Sequence, residues 1–276
     1  MGEYRMNKCE LVVNKSLGLL DSKGSYLNPL AHKLVLYAIG KVNPDKPLPK
    51  EMRISALDFA AALELPVKHA YEHLYSALDK LWDSHVSWTE KHKGVSWDYD
   101  CRWIQKRGKK TKGDGAISIV WSDDVHHGLT QIRNGYKGYQ LRHIAKLDTS
   151  HAIRLYEILI RYEDTGWRIL AVDELKAMLG IPDKYPLMND FKRYVIEPTL
   201  AQLAAKTNMK VKYEPERNGR NPRKITHIKF KFSLENQLKL ALDGQIDKKT
   251  KGKADVELDE NSKDLIAQFG GKSKTE

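Results

Sequence analysis

Cysteine is almost missing: two in 276 residues, Cys9 and Cys101, far apart in the chain. Two distant thiols make no disulfide framework, so a reducing cytosol is the expected setting. Long apolar runs are missing as well. No stretch approaches the roughly 18 consecutive apolar residues of a membrane span, and the opening MGEYRMNKCE has no apolar signal-peptide core. Glu3 follows Met1-Gly2, and Met6 stands where a myristoylation signal needs Ser or Thr. The expectation is a cytoplasmic chain with no membrane partner.

Catalytic and metal-binding signatures also fail. The P-loop pattern needs a glycine five residues before its Gly-Lys pair; Gly108-Lys109 lacks it, and Ile266 occupies that place before Gly271-Lys272-Ser273. His69 and His73 have the i,i+4 spacing of a metalloprotease helix. Ala70 follows His69 where that motif requires Glu, and no third ligand follows. His126 and His127 are adjacent, without the His-apolar-His spacing of a metal-dependent DNA-nicking site. None of the 13 tyrosines sits in a nucleophile's context, and no Cys/His zinc spacing occurs. The expectation is a binder rather than an enzyme, with no cofactor and no metal.

What the chain has is positive charge: 47 Lys+Arg against 36 Asp+Glu, a net +11, with a pI near 9.3. Such a chain calls for a polyanionic partner, nucleic acid first. Residues 1–143 hold 22 basic and 16 acidic side chains, a net of +6, and residues 144–234 hold 17 and 11, again +6. The last 33 residues hold 7 of each and are neutral. The charge belongs to the body in two nearly equal halves. The tail, 244–276, has too few large apolar residues to offset its ordering entropy and is expected to be disordered. One small cluster in it, Leu265, Ile266 and Phe269, could serve as a docking motif or be a chance cluster.

The halves resemble each other. ISALDFAAALELP (Ile54–Pro66) lies over LAVDELKAMLGIP (Leu170–Pro182) at an offset of 116, matching Phe59 with Leu175, Leu63 with Leu179 and Pro66 with Pro182. AHKLVLYAI (Ala31–Ile39) lies over SHAIRLYEI (Ser150–Ile158) at an offset of 119, matching His32 with His151 and Tyr37 with Tyr156. Two matches in one order at nearly one spacing point to a duplicated domain.

Each half then follows one plan. A 3.6-residue apolar stripe predicts helix 29–42, and Ser55 with Asp58 caps a helix over 55–64. Pro66 suits the first turn of a helix over 66–85, with Ala70, Leu74, Ala77, Leu78 and Leu81 inward. Alternating Trp97, Tyr99, Cys101 and Trp103, then Ile117, Ile119 and Trp121, predict a strand pair joined by the basic turn Gln105–Gly115. In the second half, helices over 150–164, 172–179 (ending at Gly180) and about 188–207 precede strands at 209–214 and 226–232, with a basic turn at Pro215–Lys224. Pro198 should kink the third helix or cost it a hydrogen bond. Helix, helix-turn-helix, then β-hairpin is the order of a winged helix. The expected fold class is α+β: two tandem winged-helix domains related by internal duplication, with a disordered C-terminal tail. The expected boundaries are 1–143, 144–243 and 244–276.

In a helix-turn-helix the second helix reads base edges in the major groove, while wings and helix ends hold phosphates. With Phe191 and Val195 inward, Asn189, Lys192, Arg193 and Ile196 should face outward. Arg193 offers a bidentate fork for guanine and Lys192 a point charge for phosphate. In the first half, Lys68, His69, Glu72 and His73 point outward on a less basic helix. The wings hold nine cations: Lys106, Arg107, Lys109, Lys110 and Lys112, and Arg217, Arg220, Arg223 and Lys224. Six phosphate contacts among them would give log K a slope of about −5 against log[salt]. A solvated, solubilising surface is the plain alternative for each of these basic groups.

Several segments carry a resemblance: LVVNKSLGLLDSKGSYLNPLAHKLVLYAIGKV, SHAIRLYEILIRYEDTGWRI, DELKAMLGI, DKYPLMNDFKRYVIEPTLAQL and VKYEPERNGRNPRKITHIKFKF. Together they resemble the iteron-binding replication initiator (Rep) proteins of theta-replicating bacterial plasmids, over roughly residues 10–234. The resemblance implies two tandem winged helices. It makes the C-terminal unit the main reader of repeated origin sites, which places that role on Asn189, Lys192 and Arg193. The N-terminal unit would make the secondary DNA contact and mediate dimerisation. Monomers would bind direct repeats in double-stranded origin DNA, and homodimers would repress the protein's own promoter through an inverted repeat, which gives copy control. Host chaperones, the host initiator and the replicative helicase are the implied partners. Many members have a third basic residue after Lys-Arg; here it is Tyr194. Leu20, Leu27 and Leu34 resemble the family's zipper-like stretch, but Pro29 interrupts any continuous coiled coil. Two other readings remain: a transcriptional repressor without origin activity, and a rolling-circle nickase, which the missing histidine motif disfavours.

Overall fold

The computed structural model describes residues 12–16, 27–43, 46–113, 115–130, 136–217 and 224–235. The tail at 244–276, with the Leu265, Ile266 and Phe269 cluster, lies outside them, as do Leu20, Arg220 and Arg223.

Strand β1 (Val12–Ser16) pairs antiparallel with β7 (Tyr136–Gln140). Helix α1 (Pro29–Gly40) starts at Pro29, whose absent N–H costs nothing there, and the Asn28 side chain accepts from the Leu30 N–H at 3.1 Å. Leu27 therefore precedes the helix, so no coiled coil runs from it through Leu34; both side chains are buried in the core. Strand β2 (Glu51–Ser55) leads straight into α2 (Ala56–Ala62), where the Ser55 hydroxyl accepts from the Asp58 N–H. Pro66 caps a 3-10 turn, Val67–His69, rather than opening the helix itself; α3 (Ala70–Trp82) follows with the expected five residues buried.

The expected single hairpin is two. β3 (His85–His92) pairs with β4 (Val95–Arg102), and β5 (Ile104–Lys109) pairs with β6 (Ala116–Trp121). Residues 105–109 thus lie in a strand, and among the described residues only 110–113 and 115 are left between the strands. The alternation at Trp97 and Tyr99 is real but points to solvent, with Trp97 53% exposed; the buried set starts at Trp103. Helix α4 (Asp123–Thr130) and the short α5 (Arg142–Ala145) lead to the second half.

There α6 (Ser150–Ile160), β8 (Trp167–Ala171) and α7 (Val172–Met178) come in the same order as α1, β2 and α2. After Leu179, Gly180 takes φ +73°, a left-handed position that favours glycine. The long third helix is interrupted: α8 (Met188–Phe191), a π turn (Lys192–Ile196), then α9 (Glu197–Lys206). The Glu197 N–H donates to the Lys192 carbonyl, five residues back. Pro198 follows at once and has no N–H for the Tyr194 carbonyl; the wider turn sits where the regular ladder would break. β9 (Met209–Glu216) and β10 (His227–Leu234) close the unit.

The three-stranded sheets of the two halves have the same topology, β2-β6-β5 and β8-β10-β9. Equivalent residues fill equivalent places: Tyr37 and Tyr156, Phe59 and Leu175, Leu63 and Leu179 are all buried. This is the duplicated winged-helix plan read from the sequence, with β3–β4 as an addition to the first copy. One apolar core runs through both halves. At their junction the buried Glu157 of α6 takes a hydrogen bond from the Tyr139 hydroxyl at 2.6 Å, beside His32 Nε2 of α1 at 3.2 Å and Arg154 at 3.6 Å.

Candidate nucleic-acid interface

In the second unit, α7 and the segment α8–π turn–α9 form the helix-turn-helix. Phe191 and Val195 are buried, so the helix is anchored as expected. Asn189 and Arg193 are exposed and Lys192 is half-buried. Ile196 is a correction: it is buried, because the π turn adds a residue to the turn and carries position 196 inward. The outer surface at this turn is therefore Lys192, Arg193 and Tyr194, with Tyr194 55% exposed. The Arg193 guanidinium lies 5.5 Å from the Tyr194 ring centre, and that ring stacks on Tyr185 at 6.3 Å with 28° between planes. Behind them Lys176, buried, donates from Nζ to the Tyr185 carbonyl at 2.7 Å and lies 5.3 Å from the Phe191 ring centre. Nothing local in the sequence marks Lys176 or Tyr185, because their roles depend on contacts between the turn and the helix.

The second wing is β9–β10. Arg217 and Lys224, exposed, flank its connection; Arg220 and Arg223 fall outside the described residues. On the strands, Lys231 pairs with Glu214 at 2.8 Å, which holds that carboxyl below its usual range, and Lys210 pairs with Glu235. Tyr213 donates to Glu197 at 3.2 Å, tying the wing to α9.

In the first unit Lys68 and His69 are exposed at the start of the third helical segment and His73 is half-buried. His69 Nδ1 sits 2.9 Å from Glu72, and its ring meets His73 edge-on at 6.3 Å; this is a surface pair held by a carboxylate. Lys106, Lys110 and Lys112 of the wing are exposed. Arg107 and Lys109 differ: both reach the same carboxylate, Asp79 of α3, at 2.7 and 3.0 Å. Their cations also lie over aromatic rings, Arg107 over Trp82 at 4.9 Å and Lys109 over Tyr75 at 5.3 Å. The first wing is thus strapped to its own helix. Gly115 closes the strap from the other end: a Cβ there would stand 1.8 Å from the Tyr71 ring. Asp79, Trp82, Tyr75 and Tyr71 carry no local sequence signal for this, since their partners are 25 to 44 residues away.

Other titratable groups are plain core or surface. Burial lowers His143 and His151 and raises the Cys101 thiol, which suits an inert half-buried side chain. Among the described residues no group of three or more His, Cys, Asp or Glu is placed to hold a metal ion, and no helix is long and apolar enough to cross a membrane.

Two copies of helix-turn-helix plus wing, each presenting cations beside its third helix, define a tandem winged-helix protein of the DNA-binding class. Family comparison narrows this. A model described as "Initiator Replication protein, WH1" matches residues 12–160, and one described as "Initiator Rep protein, WH2" matches residues 171–232. The chain belongs to the initiator replication protein family. A "Replication initiation protein" of Escherichia coli is 23% identical over 248 residues, covering 85% of this chain and 73% of the relative. An "Uncharacterized 27.6 kDa protein" of Escherichia coli is 24% identical over 144 residues, 49% of this chain and 54% of that one. Among solved structures, the Pi initiator protein in complex with iteron DNA has the same fold, with a TM-score of 0.68 at 21% identity, over 83% of this chain and 99% of that one.

Proposed function

We propose that this chain is a plasmid replication initiator that binds the direct repeats of its origin as a monomer and represses its own promoter as a dimer. The observation that carries the proposal is the second unit's helix. It sets Asn189, Lys192 and Arg193 outward in a family whose description is replication initiation. In this reading those three residues read the major groove. Arg217, Arg220, Arg223 and Lys224 hold phosphates. Lys68, His69, His73, Lys106 and Lys110 supply a second, less specific contact, to which Arg107 and Lys109 add as far as their pairing with Asp79 allows. The first unit (1–143) carries dimerisation, the second (144–243) the readout, and no step is catalytic. Host chaperones, the host initiator and the replicative helicase act on the complex in the bacterial cytoplasm.

The test is plasmid maintenance. Supplied in trans, the protein should sustain a plasmid that carries only the matching origin; repression of its promoter without maintenance would make it a repressor instead. A covalent adduct with supercoiled origin DNA in the presence of a divalent metal would make it a nickase.

The strap on the first wing sets one further expectation. Asp79→Asn should release Arg107 and Lys109 to phosphates. Binding to any duplex should tighten, and the slope of log K against log[salt] should steepen by up to about 1.8, from roughly 0.9 per phosphate neutralised. Folding stability should change by less than about 1 kcal/mol, since these are exposed pairs. Anisotropy titrations over a salt series measure it; an unchanged slope would mean that the two cations never face DNA.

A further inference from the structure

We infer that Tyr194 and Tyr185 are specificity-determining positioning residues, a stacked support that holds the Arg193 guanidinium ready for a guanine edge. The inference rests on the proposed reading that Arg193 contacts bases, and it goes beyond that reading by assigning the discrimination in part to two uncharged rings.

Three observations carry it. First, Tyr194 is a large ring left more than half exposed on the helix that carries Arg193, so its place is not explained by core packing. Second, it stands in the middle of a series: the Tyr185 ring at 6.3 Å, and the Arg193 guanidinium 5.5 Å from its centre. Third, Tyr185 is held at φ +56°, a left-handed conformation that a bulky residue rarely adopts and that persists only where its surroundings determine it. What determines it is Lys176, which reaches from α7 through the core to the Tyr185 carbonyl and lies over Phe191 of α8. The chain of contacts is continuous: buried lysine, strained turn, ring, ring, guanidinium.

The physics of the guanidinium makes this useful. Its flat face stacks on aromatic rings, while its hydrogen-bond donors lie in its plane and point outward. A guanidinium that turns its face to the Tyr194 ring keeps its edge available for a two-pronged bond to guanine O6 and N7. An exposed arginine otherwise holds many rotamers and loses them on binding; a support that narrows them beforehand reduces that loss. The π turn contributes by placing residues 193 and 194 side by side at the outer surface while 195 and 196 turn inward.

The experiment uses the full chain and two duplexes, one direct repeat of its origin and a scrambled repeat, titrated by fluorescence anisotropy at fixed salt. Tyr194→Ala and Tyr185→Gly should each weaken cognate binding about 2–5-fold, the range of one exposed cation–π contact. Scrambled-duplex binding and the salt slope should stay as in the unsubstituted protein. Glycine at 185 accepts the positive φ, so that variant keeps the backbone and loses only the ring. Tyr194→Phe should bind as the parent does, because the stack needs the ring and not the hydroxyl. In an Arg193→Ala background, Tyr194→Ala should have no further effect. Equal weakening on both duplexes, or an added loss in that background, would overturn the inference while leaving the role of Arg193 intact. An Arg193→Ala variant with undiminished discrimination would overturn the role of Arg193 and the inference with it.

Discussion

Arg193→Ala should cost about 1–3 kcal/mol on the cognate repeat, and the ratio of cognate to scrambled affinity should collapse by the same factor. The residue is exposed on a helix whose opposite side, Phe191 and Val195, is locked in the core, which keeps the guanidinium on the outer surface where the proposed readout needs it. Arg193→Lys should fail to rescue, because an ammonium is a point charge and lacks the planar fork. Lys192→Ala should follow in the same range where it touches a base, and lose less where it touches only phosphate. The contrast is with the wings. Arg217→Ala or Lys224→Ala should weaken cognate and scrambled duplexes alike and flatten the salt slope by about 0.9 for each phosphate no longer neutralised. Paired titrations on the two duplexes separate these behaviours. Unchanged discrimination in Arg193→Ala would mean that the readout lies elsewhere.

Glu157→Ala should have the largest effect on folding, about 3–5 kcal/mol, the scale for removing one partner of a buried ion pair. Glu157 is wholly buried in α6. Its carboxylate accepts from the Tyr139 hydroxyl, lies 3.2 Å from His32 of α1, and faces Arg154, itself buried, whose Nε–H donates to the Met178 carbonyl at 3.1 Å. Burial, with the Glu157 charge beside it, pushes the Tyr139 hydroxyl well above the ordinary tyrosine range; burial pulls Arg154 down while Glu157 counters it. Without the carboxylate, Arg154 would stay buried without that counter-charge, and Tyr139 would lose its acceptor. Because the cluster joins a helix of each half with the connecting strand, the loss should unfold both winged helices together. Glu157→Gln keeps the volume and an acceptor for Tyr139 and should cost less. Urea unfolding monitored by tryptophan fluorescence and circular dichroism gives the values. A loss below about 1 kcal/mol, or two separate transitions in the parent protein, would contradict this role.

Much of the architecture is legible in the sequence because its helices are strongly periodic. Ala70, Leu74, Ala77 and Leu81 fall on one face of α3, and the repeat in Tyr37/Tyr156 and Phe59/Leu175 marks two copies of one plan. What escapes is short or non-local. β2 and β8 are five-residue edge strands, and β8 hides a charged residue inside: Arg168 is buried, donating to the Ile158 carbonyl under the Tyr162 ring. Alternation gives two faces but not which faces water, so it groups Trp97 and Tyr99 with the hairpin next to Trp103. Periodicity misplaces Ile196 because a π turn breaks the 3.6-residue repeat. In the candidate interface, Arg193 follows from the inward set of its helix. The strap from Arg107 and Lys109 to Asp79, and the support from Lys176 through Tyr185, link elements that only folding brings together. For that reason the count of nine wing cations overstates the charge facing outward.

Hydroxyl-radical footprinting of the full chain on its own origin repeats tests the central claim most directly. Two winged helices set on one side of B-DNA, one in each of two successive major grooves, should protect about 20 bp of every repeat in two blocks roughly one helical turn apart. Arg193→Ala should erase the block under the second unit before the other. Protection of a single groove, or a footprint that ignores the repeat sequence, would contradict the account.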